Sequence, residues 1–411
     1  MEFIKDSGIH IPINYPSISQ IKNFLTREII GWDNNIKEVQ FYEILESEIL
    51  IPRYYKLSEK IVDLSSEGKT INISSKTSPR NDRQKKYIEE FTKRDNGIIR
   101  LEPGTGKTYI ATQLVSYYKK KTIVITHKDK LLEQWRKEFL EHTTIDDNEI
   151  GRLSSSNYKE CFSKSIILTT PHVILHAINS KNIDFLNELK KSEIGIMFVD
   201  ECHVGIGPEQ FSKSSIYINA KRTYGLSATP YRSDKMDDIL NLHLGDVFYI
   251  PPDEKELIKP DIYMFFIDFN VFKYNPYMFR EGRIIFSRYY NQIYKSETYN
   301  KFLANIIDKL HQKKRKVLVL TKMVNNIISI IQYCKVPKED IGIFSPGVLS
   351  KYKSKFLLSY TDTLDQMESF FNKSVVFSTY SYCRDGNNRI DFDTLLMVTP
   401  TSNPEQAIGR I

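Results

Sequence analysis

The chain has 411 residues, more than the ~250–300 at which a single core stops growing, so we expect two or three domains. No apolar run approaches the ~18 residues of a membrane span, so the sequence predicts no membrane partner. The N-terminus lacks the apolar core of a signal peptide, so we expect a cytoplasmic protein that is not secreted. The four cysteines are scattered without a Cys-x-x-Cys pair, which argues against a disulfide framework or a zinc site, and the net charge of +7 permits a polyanionic partner without requiring one.

Residues 1–78 differ from the chain that follows, because they lack any regular alternation of strands and helices. They contain mixed helical stretches together with Pro12, Pro16 and Pro52. A run rich in Ser, Thr and Lys, from Ser65 to Pro79, has the composition of a linker. We therefore predict an accessory N-terminal module over residues 1–78.

Between residues 79 and 254, short apolar runs alternate with helical patterns. This alternation predicts an α/β domain in which helices cover both faces of a parallel sheet. Ligands of such sheets bind at the carboxyl ends of the strands, and each predicted strand here ends at a candidate functional residue. The predicted strands are Ile98–Leu101, Thr122–Thr126, Ser165–Thr170, Ile194–Val199 and Thr223–Ser227.

The run Ile-Ile-Arg-Leu-Glu-Pro-Gly-Thr-Gly-Lys-Thr at residues 98–108 predicts a phosphate-binding loop between a strand and a helix. The two glycines let backbone N–H groups point at phosphate oxygens, next to the positive end of the helix dipole. Lys107 can reach the β- and γ-phosphates, and the Thr108 hydroxyl can hold Mg²⁺. The strict pattern has glycine where this chain has Leu101, and an ordinary strand-to-helix turn is the alternative. The predicted nucleotide-binding residues of the loop are Pro103, Gly104, Thr105, Gly106, Lys107 and Thr108.

A second candidate site follows the apolar run at residues 194–199, which ends in Asp200-Glu-Cys-His203. Asp200 is placed to hold Mg²⁺, and Glu201 is placed to polarise the water that attacks the γ-phosphate. Adjacent buried carboxylates would repel each other without a cation. The alternative is a strand that simply exits into a polar loop, but the position about 90 residues after a phosphate loop favours the catalytic interpretation.

The alternation of strands and helices restarts at about residue 255 and predicts a second α/β domain over residues 255–411. A helical pattern at Glu297–His311 precedes one of its apolar runs. The predicted strands are Ile262–Ile267, Lys316–Leu320, Ile341–Phe344, Val375–Thr379 and Leu395–Val398.

In their order and spacing, these motifs resemble those of superfamily 2 helicases and translocases, over residues 79–411. We call the phosphate loop motif I, Asp200–His203 motif II and Gly225–Arg232 (Gly-Leu-Ser-Ala-Thr-Pro-Tyr-Arg) motif III. Two motif forms resemble those of one branch of DNA translocases, which includes viral helicases, restriction-enzyme motors and XPB-like helicases. They are Asp-Glu-Cys-His at residues 200–203 and Gln-x-x-Gly-Arg at residues 406–410. The motifs of the DEAD-box RNA helicases are less similar. The other matching segments are Arg83-Gln84, Val124–Phe139, Leu168–Pro171, Val317–Thr321, Val375–Gly386 and Gln406–Ile411.

The resemblance implies two tandem RecA-like parallel-sheet domains, with ATP and Mg²⁺ as cofactors. By this resemblance Gln84 contacts the adenine. Lys107 and Glu201 of the first domain form the catalytic set together with Gln406 and Arg410 of the second.

The resemblance also implies residues that connect hydrolysis to movement along a nucleic acid. Ser227 and Thr229 of motif III are the expected coupling residues. Hydroxyls and N–H groups contact phosphates without reading sequence. Capping of strand ends is the alternative role for each threonine. The predicted nucleic-acid contacts are Thr126, Lys128, Thr169, Thr170, Thr321 and Thr379.

We expect a nucleic-acid-stimulated ATP hydrolase that translocates on DNA, or alternatively RNA, and unwinds duplex or displaces a bound transcript. An ATP-gated clamp or sensor that does not separate strands is the alternative from another class. The composition and the accessory N-terminus resemble helicases of large cytoplasmic DNA viruses, of the poxvirus transcript-release type. Residues 1–78 are therefore expected to contact transcription or replication machinery, in a viral factory or virion.

Two departures from the family pattern lie in the second domain. Gly386 is followed by Asn387-Asn388, where the family carries Leu-Asp to approach the ribose. The second arginine of motif VI would lie two residues beyond Ile411. The sequence therefore predicts a truncated second domain.

Overall fold

The computed structural model describes most of the chain and divides it into two compact units, residues 1–256 and 257–411. The division at residues 78 and 254 stays a prediction. The described residues are 2–30, 36–102, 104–203, 212–231, 236–252, 261–265, 277, 279–280, 283–344, 373–380, 392–401, 404 and 408. Within them, no helix is both long enough and apolar enough to cross a membrane.

The N-terminal module is built mainly from short strands, so the helical stretches predicted there are wrong except for one short helix at Ile18–Phe24. Five strands form a sheet in the order β5-β6-β2-β1-β7, antiparallel except for the β1–β7 pair, and β3 and β4 form a separate hairpin. The elements are β1 (Glu2–Lys5), β2 (Ile9–Pro12), α1 (Ile18–Phe24), β3 (Thr26–Ile30), β4 (Ile36–Gln40), β5 (Glu43–Ile44), β6 (Glu48–Ile51) and β7 (Lys60–Asp63).

The segment predicted as a linker packs against the first α/β domain. Ile71 and Ile73 are buried in the same apolar cluster as the helices and strands of that domain. Thr70 pairs with Lys120 in an isolated bridge. At Gly68, where φ is +83°, a Cβ would lie 2.4 Å from the Cα of Gly195, so the close approach requires glycine.

The first α/β domain contains seven parallel strands in the order β10-β11-β9-β12-β13-β8-β14, which confirms the predicted parallel sheet. The five predicted strands are present, and two short edge strands, β10 and β14, were not predicted. The elements are α2 (Asp82–Phe91), β8 (Asn96–Arg100), α3 (Lys107–Tyr118), β9 (Thr122–Ile125), α4 (Asp129–His142), β10 (Ile150–Arg152), α5 (Tyr158–Cys161), β11 (Ile166–Thr169), α6 (Pro171–Asn179), α7 (Ile183–Lys191), β12 (Ile196–Asp200), β13 (Arg222–Ser227), α8 (Asp237–Leu244) and β14 (Val247–Tyr249).

Neighbouring residues along each strand point to opposite sides of the sheet, and apolar residues on both sides pack against helices. Ile99 and Phe198 contribute to one apolar cluster, whereas Ile98 and Met197 contribute to another. Both faces are therefore buried, as expected for a parallel sheet whose strands are continuous apolar runs.

A third apolar cluster joins the N-terminal module to the first α/β domain. Phe3, Ile9 and Ile49 of the module pack with Met236 and Ile239, at the start of helix α8. The module and the domain consequently share one core, in agreement with their assignment to one compact unit.

In the part of the second unit that the structure describes, four parallel strands pair in the order β18-β19-β17-β20, which confirms the second parallel sheet. Residues 262–265, the described part of the predicted strand Ile262–Ile267, form no regular structure, so that part of the prediction is wrong. The elements are β15 (Phe279–Arg280), β16 (Arg283–Ile284), α9 (Phe286–Lys295), α10 (Glu297–Gln312), β17 (Val317–Thr321), α11 (Val324–Ile331), β18 (Ile341–Phe344), β19 (Val375–Thr379) and β20 (Thr394–Met397).

Candidate functional site

The strand order brings motifs I, II and III to one edge of the seven-stranded sheet. Strand β13, which leads into motif III, lies between β8, which leads into motif I, and β12, which leads into motif II. Ser227 is paired with Arg100, and Asp200 is paired with Leu226. The strands are parallel, so their carboxyl ends coincide, which is where ligands of such sheets bind.

The loop after β8 has the backbone of a phosphate-binding loop. Gly104 and Gly106 have φ angles of +76° and +97°, in the left-handed region that favours glycine. Helix α3 begins directly after Gly106, with Lys107 and Thr108 in its first turn and no acidic residue there. The N-terminus of α3 is therefore suited to bind an anion.

Gln84 holds this loop in place from helix α2. The side-chain amide nitrogen donates to the carbonyl oxygen of Thr105 at 2.8 Å, and the amide oxygen accepts from the N–H of Arg80 at 2.9 Å. Both ends of the buried amide are thus engaged with backbone. The adenine contact predicted for Gln84 stays a prediction, and its observed contacts support the loop.

Arg83, beside Gln84, adds a second tie to the loop. Its guanidinium group lies 2.7 Å and 3.1 Å from the two carboxylate oxygens of Glu102, and its Nε donates to the carbonyl oxygen of Ile250 at 2.9 Å. This two-point geometry fixes the residue that opens the loop.

Lys107 spans the gap between motifs I and II. Its Nζ lies 3.4 Å from the carbonyl oxygen of Leu101 and 3.7 Å from Oε1 of Glu201. The predicted phosphate-binding lysine and the predicted catalytic carboxylate therefore meet.

The two carboxylates of motif II occupy an electrostatically unfavourable position. Burial and the neighbouring Glu201 raise the pKa of Asp200 to about 6. Glu201 has a φ of +45°, which is uncommon for a residue with a side chain. Its Oε2 is buried and accepts no hydrogen bond from the described residues.

A cation would relieve both features of this pair, so the carboxylates fit Mg²⁺. No group of three or more histidine, cysteine or acidic side chains that could hold a metal occurs in the described part of the chain. In nucleotide sites Mg²⁺ usually takes one or two protein ligands and the rest from phosphate and water, and Asp200 and Thr108 are the residues that would hold it here.

His203 connects motif II to motif III. Its Nδ1 lies 2.6 Å from the Ser227 hydroxyl and 3.5 Å from Oε2 of Glu201, and its Nε2 lies 3.2 Å from the Thr229 hydroxyl. The predicted coupling residues thus share one imidazole ring that also faces Glu201, the predicted catalytic carboxylate.

The threonines predicted to contact nucleic acid are buried at strand ends. The hydroxyl of Thr126 donates to the carbonyl oxygen of Lys128 at 2.9 Å, and that of Thr321 donates to the side-chain oxygen of Asn326 at 3.0 Å. These contacts match the capping alternative, and phosphate contact stays a prediction. The other buried threonines of the set are Thr169, Thr170 and Thr379.

Three predicted site residues, Pro103, Gln406 and Arg410, lie outside the described residues. Three residues that contact the site were not predicted as site residues: Arg83, His203 and Trp135, whose indole N–H donates to Oδ2 of Asp200 at 2.9 Å. Each stands inside a segment that carries the resemblance. The motif match therefore marked their segments, but it could not show their contacts, because the partner residues are distant in sequence.

The comparisons with known proteins agree with this geometry. A family model described as "Type III restriction enzyme, res subunit" matches residues 76–232. A "Putative ATP-dependent RNA helicase L396" of Acanthamoeba polyphaga mimivirus is 21% identical over 384 residues, 88% of this chain and 67% of that protein. The "General transcription and DNA repair factor IIH helicase/translocase subunit XPB" of Enterocytozoon bieneusi (strain H348) is 30% identical over 164 residues, 38% of this chain and 27% of that protein.

Among solved structures, this chain is similar to the Pyrococcus furiosus Hef helicase domain, with a TM-score of 0.48 at 14% identity over 80% of this chain and 91% of that chain. The chain spans about two thirds of the mimivirus relative and about a quarter of the XPB relative. The motifs assembled at one sheet edge, the family match over residues 76–232 and the helicase relatives together support a superfamily 2 helicase or translocase.

Proposed function

We propose that this chain is the motor of an ATP-driven translocase that acts on DNA. The observation that carries the proposal is the continuous set of contacts from Lys107 to Glu201, from Glu201 to His203, and from His203 to Ser227 and Thr229. This set links a phosphate-binding loop to a second strand end. A nucleotide switch without a track would have no use for such a link.

In the proposed reaction, the N–H groups at the start of α3 and the Lys107 ammonium hold the β- and γ-phosphates. Asp200 and Thr108 hold Mg²⁺, which when bound would neutralise charge that develops on the phosphates. Glu201 orients the attacking water and accepts its proton. His203 then transmits the change at Glu201 to the motif III hydroxyls.

The second domain is proposed to supply the residues that stabilise the transition state. Gln406 and Arg410 are assigned to this role by resemblance alone. An arginine that reaches the transferred phosphoryl group accelerates such reactions by ~10³–10⁵. Replacing Arg410 should therefore reduce turnover much more than ATP binding.

The choice of DNA as the track rests on the relatives. The XPB proteins are described as subunits of a transcription and DNA repair factor, whereas the mimivirus relative is described as a putative RNA helicase. The XPB relative is more similar in sequence, with 30% identity over 38% of this chain, and this similarity favours DNA. The mimivirus relative supports a viral origin, and residues 1–78 are proposed to contact a transcription or replication complex.

The test is the ATPase rate of the chain alone and with single-stranded DNA, duplex DNA or RNA. We expect DNA to stimulate turnover severalfold and RNA to stimulate it less. The matched control is Glu201→Gln, which keeps the side-chain shape and should lower stimulated turnover by ~10²-fold or more while ATP binding persists. Absence of stimulation by any nucleic acid would contradict the proposal.

A strand-displacement assay distinguishes the translocase from the clamp. A translocase removes a labelled strand or a bound transcript in proportion to the ATP it consumes. A clamp binds in an ATP-dependent way and displaces nothing. Stimulated ATPase activity without displacement would therefore support the clamp.

A further inference from the structure

Trp135 lies between helix α4 and the strand that carries motif II. Its side chain is only 1% exposed. The indole Nε1–H donates to Oδ2 of Asp200 at 2.9 Å, and the ring packs against Phe198 with centroids 6.3 Å apart. Phe198 and Asp200 are two residues apart on β12 and so share one face of the sheet. A single indole thus covers the end of that face.

Among the described residues, two N–H donors orient the Asp200 carboxylate. Oδ2 accepts from Trp135, and Oδ1 accepts from the N–H of Glu201 at 3.0 Å. The second donor belongs to the next residue along the chain and moves with it. Trp135 is the donor that comes from another element, helix α4.

We propose that Trp135 is a positioning residue that fixes the Asp200 carboxylate for Mg²⁺, an inference that rests on the proposed function. A buried indole N–H needs an acceptor, and this one uses the carboxylate that the phosphate chemistry requires. Partners that orient a metal ligand in this way are typically worth 10–100-fold in metal affinity or activity.

The position of Trp135 on helix α4 gives the contact a further consequence. Helix α4 begins immediately after Lys128, whose carbonyl oxygen accepts from Thr126 in the loop predicted to contact nucleic acid. Trp135 therefore joins the Mg²⁺ ligand to the helix that follows that loop.

The first test compares Trp135→Phe with Phe139→Leu. Trp135→Phe keeps an aromatic ring and removes the N–H, whereas Phe139→Leu loosens the same helix at a buried ring 6.0 Å from that of Trp135 and leaves the hydrogen bond in place. Trp135→Phe should raise the Mg²⁺ concentration for half-maximal ATPase activity by ~10-fold, with kcat restored at saturating Mg²⁺. Phe139→Leu should keep the wild-type Mg²⁺ requirement.

The second test needs no turnover. The chain has two tryptophans, so Trp32→Phe leaves Trp135 as the only one. With ADP bound, addition of Mg²⁺ should change the emission of Trp135, and the change should vanish when Asp200→Asn is added to Trp32→Phe.

Two results would overturn the inference: a wild-type Mg²⁺ requirement in Trp135→Phe, or Trp135 emission that ignores Mg²⁺ in the presence of ADP. If Trp135→Phe does not fold, the emission measurement decides alone. Failure of the proposed function would instead appear as an ATPase rate that no nucleic acid stimulates. The emission measurement with ADP does not depend on that stimulation.

Discussion

Arg53 joins the N-terminal module to the segment that follows motif II, and its replacement by methionine should destabilise the first unit strongly. The side chain is 5% exposed and donates to four backbone carbonyl oxygens. Nη1 donates to Ala220 at 3.0 Å. Nη2 donates to Ser7 and Ile218, each at 2.8 Å, and to Ser215 at 3.2 Å.

The size of the effect follows from these contacts. Nη2 has two hydrogens for three carbonyls, so the four contacts amount to about three full hydrogen bonds, each to a charged donor and worth about 1.5–3 kcal/mol. The buried charge of Arg53 is poorly solvated, which lowers the pKa of its guanidinium group, and removing this charge offsets part of the loss. We therefore expect Arg53→Met to cost about 3–5 kcal/mol, a large fraction of the ~5–15 kcal/mol of a typical domain.

Arg27→Met is the matched control. The guanidinium group of Arg27 also joins the module to helix α8, through Asp238 at 2.9 Å, but this pair is substantially exposed. Exposed ion pairs contribute about 0–1 kcal/mol. Urea unfolding followed by circular dichroism measures both variants. Equal midpoints for Arg53→Met and Arg27→Met would refute the argument that the buried guanidinium holds the module in place.

Further predictions concern the site and the module. Lys107→Ala should weaken ATP binding and abolish phosphate release, because its ammonium group is the predicted ligand of the β- and γ-phosphates and lies 3.7 Å from Glu201. Calorimetry measures the binding and a turnover assay the release, and normal turnover would contradict the assignment. His203→Ala should leave ATP binding intact but lower the number of base pairs opened per ATP, since the ring joins motif II to motif III; unchanged coupling would exclude a role for His203. The hydrogen bond to Asp6, supported by that to Glu48, raises the pKa of His10 above its ordinary value of 6.5. This stabilisation is fully present below pH 6.5 and is lost as the pH rises through the folded-state pKa. His10→Gln should therefore flatten the dependence of the urea midpoint on pH in this window, and an unchanged dependence would show that another group titrates there.

The central strands of both sheets could be predicted because each is a short run of consecutive apolar residues bounded by polar ones. In strand β17 at Val317–Thr321 every residue is buried, and in strand β12 at Ile196–Asp200 every residue but the last is buried. The edge strands β10 and β14 have three residues each and mixed composition, so their local sequence carries little signal. The strands of the N-terminal module were missed for the same reason, because few are longer than four residues.

The sequence by itself was sufficient to predict the chemistry proposed for the site, because motifs I and II are local. A glycine-rich turn before Lys107 and two carboxylates after an apolar run are sufficient to indicate phosphate and Mg²⁺ binding. Their approach within 3.7 Å could also be anticipated, since parallel strands end at the same edge.

Only the tertiary structure decided which distant side chains support that chemistry. Trp135 meets Asp200 from 65 residues away, and Arg53 meets Ala220 from 167 residues away. Such contacts depend on the order of the strands and on how helices and the module pack against them. Hydrophobic periodicity records which face of an element is buried but not which residue lies opposite, so these partners become visible only in the folded chain.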